Sequence, residues 1–127
     1  MLSLQSVGFA LSLGAVVTVA SAADQEVSFE KDVMPVLQTS CLECHSSPGG
    51  KGTSKSGLLM DTYEHLMKGT KYGPVVDPGH SVNSVLIQVI EGKQVDKSIR
   101  MPHGGVELST ASKKLLKDWV DQGAKNN

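Results

Sequence analysis

The first regular apolar pattern in the chain lies in SFEKDVMPVLQTSC, residues 28–41. Its apolar side chains at positions 29, 33, 36 and 37 fall on one face of a helix. Ser28 stands where an N-cap residue would, and Pro35 belongs either in the first turn or at a kink. The pattern predicts a short first helix that runs into the sequence CLECH.

A loop and a second helix are predicted after CLECH. Residues 46–58, SSPGGKGTSKSGL, are rich in Gly, Ser and Lys, which is typical of a loop. Asp61 and Glu64 then have the spacing of a capping box. They predict a second helix that ends at Gly69, because glycine commonly follows the last turn of a helix.

Two further apolar faces predict a third and a fourth helix. The third is expected from about Ser81 to Ile90, followed by Gly92. The fourth is expected within residues 109–124 and ends at Gly123. Their apolar side chains are Val82, Val85, Leu86, Val89 and Ile90 in the third helix, and Leu115, Leu116, Trp119 and Val120 in the fourth.

Residues 91–110, EGKQVDKSIRMPHGGVELST, show no periodic pattern. So long an aperiodic segment in a compact domain usually carries function, so we expect this loop to hold a ligand. The prediction is an all-α fold of about four short helices joined by long loops. Such a chain has too little apolar surface to stabilise a domain alone, and a buried cofactor would supply the missing core.

Residues 1–22 have the pattern of a secretory signal peptide. No charged residue precedes Asp24, an apolar run extends over residues 7–19, and Ala-Ser-Ala at 20–22 matches a cleavage site. An uncleaved anchor is the alternative, but the run is shorter than the ~20 apolar residues that span a bilayer. We therefore expect an exported, periplasmic protein whose mature domain occupies residues 23–127, with no stable membrane span after cleavage.

The size and charge of the chain narrow its function further. At 127 residues it has the length of one small domain plus a leader. Its formal net charge of −1 supplies no basic field of the kind that nucleic acid requires. We therefore expect no nucleic-acid partner.

The sequence CLECH contains the two cysteines of the chain, Cys41 and Cys44, followed by His45. A disulfide oxidoreductase would place C-x-x-C after a strand, and no strand pattern precedes Cys41. A zinc site would need two more ligands, and the remaining histidines do not form the usual separated pair. C-x-x-C-H is also the attachment motif of c-type haem, and haem attachment would use both cysteines and the histidine.

Helical geometry favours the haem hypothesis. If Cys41 begins a helical turn, Cys44 at i+3 lies on the same face, so both sulfur atoms can meet the two vinyl groups along one side of a porphyrin. His45 at i+4 then projects toward the iron from the same side. We therefore predict one haem c, attached through two thioethers, with His45 as the proximal metal ligand.

Five segments occur in an order typical of one family: SFEKDVMPVLQTSCLECH, GLLMDTYEHLMKG, YGPVVDPGHSVNSVLIQVI, RMP and LKDWVDQGA. They resemble the planctomycete-type cytochrome c domain, a branch of the class I monohaem cytochromes c. The resemblance covers nearly all of residues 23–127. It implies a class I cytochrome c-like all-α fold wrapped around the haem, with His45 and Met101 as axial ligands. It also implies that the carbonyl of Pro74, in Gly73-Pro74, accepts the ring N–H of the proximal histidine.

Several residues are candidates for the distal ligand. The loop position of Met101, with Pro102 behind it, supports its role as ligand, although methionine also fills gaps in cores. The sequence departs from the family where a second proline often follows, because His103 stands there. The alternative ligands are therefore His103, Met60, Met67 and His80.

The expected function is transfer of single electrons between transient redox protein partners, with no enzymatic activity. Two filled axial positions would leave no open site on the iron for a substrate. An alternative is a haem-based sensor or enzyme with an open sixth position, or an electron-transfer subunit of a larger dehydrogenase complex. Lysines near the motif would suit an acidic partner or simply a solvated loop: Lys51, Lys55, Lys68 and Lys71.

Overall fold

The computed structural model of the protein describes residues 25–94 and 96–127. The predicted signal peptide, residues 1–22, lies outside this part of the chain. Within the described residues the protein is helical and contains no β-strand, which confirms the predicted all-α class. The α-helices are α1 (Met34–Ser40), α2 (Lys51–Ser56), α3 (Tyr63–Lys68), α4 (Val85–Glu91) and α5 (Thr110–Asp121), with a π-helical turn at Phe29–Val33 and a 3₁₀ turn at Lys97–Ile99.

The first predicted helix consists of the π-helical turn and α1, which follow one another directly. The hydroxyl of Ser28 accepts a hydrogen bond from the backbone N–H of Lys31, so the predicted N-cap is confirmed. Pro35 lies at the start of α1, where the π-helical turn passes into the α-helix. The predicted apolar face is buried at Phe29, Val33 and Leu37.

The segment predicted as a loop between residues 46 and 58 contains α2 instead. None of the residues of α2 is buried, so an apolar pattern could not have revealed it. The backbone N–H groups of Gly52 and Thr53 both donate to the Cys44 carbonyl, at 3.0 and 3.1 Å. Tertiary contact with the cysteine motif therefore stabilises this helix, and Gly57 ends it in the left-handed conformation with φ +78°.

The start of α3 differs from the prediction by one residue. The hydroxyl of Thr62, and not the carboxylate of Asp61, accepts from the backbone N–H of His65 at 3.1 Å. Asp61 instead accepts a hydrogen bond from the ring of His65 and one from the backbone N–H of Ser47. The predicted end at Gly69 is confirmed.

Helix α4 begins at Val85, four residues later than predicted. Residues 81–83 form a turn, which points Val82 into solvent with 78% of its surface exposed. Ser84 is buried in its place, and its hydroxyl accepts from the backbone N–H of Asp77 at 2.8 Å. Gly92 ends the helix as predicted.

Helix α5 crosses the π-helical turn and packs on α4, which closes the core. Phe29 and Trp119 meet at this crossing, with ring centroids 5.5 Å apart. Tyr63 joins them edge-on to Phe29, with the two ring centroids 5.3 Å apart. Its hydroxyl donates to the carbonyl of Ala124 at 2.8 Å, which ties α3 to the chain after α5.

We expect Tyr63→Phe to lower the free energy of unfolding by about 1–2 kcal/mol, because it leaves the carbonyl of the buried Ala124 without this donor. Urea denaturation of the two proteins measures the difference. Tyr72→Phe is the matched control, since Tyr72 is 83% exposed and its change should stay within about 0.5 kcal/mol. Equal losses in both variants would contradict the role of the hydroxyl.

A second prediction concerns Asp121, which accepts from the backbone N–H of Ser81 at 2.9 Å and from Lys117 at 2.6 Å. The hydrogen bond from Lys117, helped by Ser81, lowers the pKa of Asp121 from 3.8 to about 2. A lowered pKa means that the carboxylate stabilises the fold above about pH 4 and that this contribution disappears as the pH falls toward 2.

We therefore expect Asp121→Asn to be less stable than wild type at pH 7, with the difference in urea midpoint closing between about pH 4 and pH 2. Glu30→Gln changes an exposed acid on the π-helical turn and serves as the control. A difference that stays constant across this range would show that the carboxylate contributes nothing through its charge.

Candidate functional site

The cysteine motif forms a helical turn at the C-terminal end of α1. The carbonyl of Cys41 accepts from the backbone N–H groups of Cys44 and His45 at 3.1 and 3.0 Å. These i+3 and i+4 bonds place both thiols and the imidazole on one turn, as the spacing predicts. The structure therefore brings together the three residues that were expected to attach and ligate haem.

The imidazole of His45 is held from one side. It is buried, with 8% of its surface exposed, and its Nδ1 lies 3.2 Å from the carbonyl oxygen of Leu58. A carbonyl can only accept a hydrogen bond, so the proton resides on Nδ1 in this pair. The lone pair of Nε2 then remains available to a metal, which is the tautomer that an iron ligand requires.

The expectation for Gly73-Pro74 is wrong, because the carbonyl that accepts from His45 belongs to Leu58. Gly73 closes a tight turn instead: its carbonyl accepts from the backbone N–H and the hydroxyl of Thr70, at 2.9 and 3.1 Å. Pro74 is exposed in this turn. The return of the chain through α2 brings the Leu58 carbonyl to the ring, which the family pattern does not reveal.

The two thiols are free and partly buried. Burial raises the pKa of Cys41 from 9.0 to about 11, and the neighbouring Cys44 raises it further in the same direction. Cys41 also packs against the hydrophobic core. An apolar, uncharged sulfur on the core side of the turn suits attachment to an apolar ring rather than thiolate chemistry.

Met101 lies in the long loop between α4 and α5, far along the sequence from the cysteine motif. Its backbone N–H donates to the carbonyl of Val89 at 3.1 Å, and its side chain is partly buried against the same core as Cys41. A cleft of about 490 Å³ opens beside it, lined by Arg100, Pro102, His103 and Glu107 among others. The role of Met101 as distal ligand stays a prediction.

The other candidates for the distal ligand occupy different positions. Met60 is a core residue with 2% of its surface exposed, and Met67 also packs against the core. The side chain of His80 is 65% exposed and lies 3.4 Å from the carboxylate of Asp77. His103 is exposed but lines the same cleft as Met101.

Charged groups tie the Met101 loop to the start of α5. Arg100 and Lys113 both donate to the same carboxylate oxygen of Glu107, the former at 2.8 Å. Lys113, and after it Arg100, lowers the pKa of Glu107. Arg100, the residue before Met101, therefore forms an ion pair with Glu107.

Three features of the described residues fit a covalently bound haem. Cys41 and Cys44 offer two free sulfur atoms on one turn, and His45 offers Nε2 from the same turn. Gln94, in the loop that carries Met101, buries its side-chain amide with neither polar atom hydrogen-bonded. A buried, unpaired amide indicates a missing polar partner, and a haem propionate is a group of that kind.

Sequence reasoning missed Gly52, Thr53 and Leu58, which contact the motif. The hydroxyl of Thr53 lies 3.2 Å from the carbonyl of Leu58 and 3.3 Å from that of Cys44. The available signal was the cluster of glycines soon after the motif, which we interpreted as part of a loop. Glycine also permits close backbone approach, and that is its use here.

The described part of the chain contains no group of three or more His, Cys, Asp and Glu side chains that could hold a metal ion. Among the same residues, no helix combines the length and apolar character that a membrane span needs.

Comparison with known proteins identifies the family. The family model described as planctomycete cytochrome C matches residues 41–105, about half of the chain, from the cysteine motif through the Met101 loop. No curated protein and no solved structure matches the chain. The matched segment contains the turn with both thiols and His45. The chain therefore belongs to the planctomycete cytochrome C family and contains a cytochrome c-type domain.

Proposed function

We propose that the protein is an exported monohaem cytochrome c that carries single electrons between redox protein partners. The observation that supports this most directly is the turn at residues 41–45. It contains two free thiols and a buried histidine whose Nδ1 donates a hydrogen bond to the carbonyl of Leu58. Membership of a cytochrome c family supports haem-based electron transfer in general.

Each residue of the turn has a separate task. Cys41 and Cys44 form thioethers with the haem vinyl groups, so that the cofactor is retained by the protein after export. His45 binds the metal through Nε2, and the Leu58 carbonyl keeps the ring in that tautomer and orientation. Bound haem would supply the redox chemistry, which is the uptake and release of one electron.

On the other side, we propose that Met101 supplies the distal thioether. Its backbone is fixed to Val89 and its side chain borders the core, so little rearrangement would be needed to keep it in place. A methionine ligand raises the reduction potential and closes the sixth position. A closed position makes the protein a carrier and not a catalyst or sensor.

The pattern of residues 1–22 supports export, with the mature domain working in the periplasm or outside the cell. Covalent haem attachment suits that setting, because a lost cofactor could not be replaced easily. The lysines near the motif would favour transient contact with an acidic partner.

The first test is the mass of the mature protein. We expect one haem added, no titratable thiol after denaturation, and no residues before about Ala23. The double variant Cys41→Ser, Cys44→Ser should lose its haem on denaturation and keep the same N-terminus. Two titratable thiols in the exported wild-type protein would overturn the proposal.

The second test concerns the distal ligand. We expect wild-type protein to show a sulfur-to-iron charge-transfer band and to bind carbon monoxide poorly, because Met101 closes the sixth position. Met101→Ala should lose the band, bind carbon monoxide readily and have a lower reduction potential. Absorption spectra and carbon monoxide binding rates measure these changes.

Two matched variants complete this test. Met67→Ala removes another partly buried methionine, and His103→Ala removes the histidine of the same cleft; both should behave as wild type. Fast binding of carbon monoxide to the ferrous wild type would favour a sensor or enzyme. Persistence of the band in Met101→Ala would assign the ligand to a different methionine.

A further inference from the structure

Helix α2 is not explained by the usual sources of helix stability. It buries none of its residues in the core, and no side chain caps its N-terminal end. Its second residue is Gly52, and glycine is less favourable than alanine within a helix. Two backbone hydrogen bonds join the start of α2 to the Cys44 carbonyl in the cysteine motif, and one from the backbone N–H of Lys71 to the Ser56 carbonyl holds its end.

Gly52 lies directly beside the imidazole of His45. A Cβ atom at position 52 would stand 2.5 Å from Cε1, 2.8 Å from Nε2 and 2.9 Å from Nδ1 of that ring. Real side chains do not approach so closely, so any other residue would displace the ring or the helix. The backbone at Gly52 is not in the left-handed region, so the requirement for glycine is one of space and not of conformation.

Thr53 contacts the other groups that fix the ring. Its backbone N–H donates to the Cys44 carbonyl at 3.1 Å, and its hydroxyl lies 3.2 Å from the Leu58 carbonyl. That carbonyl is the same one that accepts the hydrogen bond from Nδ1–H of His45. The Leu58 oxygen thus lies within hydrogen-bond distance of two donors, the imidazole and the hydroxyl, and the hydroxyl also lies 3.3 Å from the Cys44 carbonyl.

We propose that α2 positions the proximal histidine, with Gly52 providing the space for its ring and Thr53 tuning the hydrogen bond that the ring donates. The proposal rests on the proposed function, in which His45 binds haem iron. It assigns to Gly52 and Thr53 a role in setting the reduction potential.

The direction of the effect follows from competition at one oxygen. Donation from the Thr53 hydroxyl withdraws electron density from the Leu58 carbonyl and weakens it as an acceptor for His45. Without the hydroxyl, the carbonyl attracts the Nδ1 proton more strongly, and the imidazole becomes a more basic ligand. A more basic ligand favours ferric iron, so removal of the hydroxyl lowers the reduction potential.

The experiment compares holoproteins that differ at this position. Thr53→Val keeps the shape of the side chain without the hydroxyl, and Thr53→Ser keeps the hydroxyl. We expect the valine variant to have a lower midpoint potential than wild type and the serine variant to restore it. Ser54→Ala, which changes the exposed neighbouring residue in α2, is the control and should leave the potential unchanged.

A valine variant with an unchanged or raised potential would overturn the role of Thr53. If Thr53→Val does not accumulate with haem, Thr53→Ser provides the test. A midpoint potential of Thr53→Ser that differs from that of wild type would contradict the role of the hydroxyl. Gly52→Ala provides an independent measurement. Electron paramagnetic resonance of the ferric protein should show altered axial-ligand signals, whereas Lys55→Ala in the same helix should not.

Failure of this inference is distinct from failure of the proposed function. Wild type without covalent haem, or a normal low-spin spectrum in His45→Ala, would remove the proposed function. Wild type with haem and His45 ligation, but with unchanged signals in Gly52→Ala and an unchanged potential in Thr53→Val, would remove only the role of α2.

Discussion

The candidate site depends on one hydrogen bond, from Nδ1 of His45 to the carbonyl of Leu58, thirteen residues later. Because a carbonyl cannot donate, this bond determines which ring nitrogen carries the proton and which is left for a metal. The chain must fold back on itself to bring Leu58 to the ring. Gly50 and Gly52 make that return possible, since a Cβ atom at either position would overlap the backbone of Cys44 or the ring of His45.

Contacts elsewhere in the fold fix α1, the helix that ends at the cysteine motif. Aromatic residues make up only 4% of the chain, yet Phe29, Tyr63 and Trp119 form one cluster where the first and last helical segments cross. The backbone N–H of Glu30 donates to the carbonyl of Asn127 at 3.0 Å, so the chain after α5 is attached beside the start of the π-helical turn. This arrangement fixes the position of α1, and α1 in turn positions Cys41 at its C-terminal end.

The loop that carries Met101 is held in a different way. Its backbone is joined to α4 through Val89, and Arg100 and Lys113 share the carboxylate of Glu107 at the surface. Exposed ion pairs contribute little to stability, so packing of Met101 and its backbone bond are the principal constraints. The surroundings of His45, by contrast, are built from buried and closely approaching groups. The position of the side chain is therefore constrained more strictly at His45 than at Met101.

The sequence by itself determined the local features of this protein. The apolar spacing predicted the first helical segment, Ser28 was predicted correctly as the N-cap of that segment, and C-x-x-C-H predicted a turn that attaches a c-type haem. These features follow from periodicity and from bonds between residues three or four apart, which a linear pattern records. Tertiary structure alone decided that residues 51–56 form α2 and that the carbonyl of Leu58, rather than that of Pro74, accepts the hydrogen bond from the ring. Neither feature produces an apolar pattern in the sequence, because both depend on backbone carbonyls and on glycines that allow close approach. The partner of a backbone carbonyl depends on where the chain returns in space.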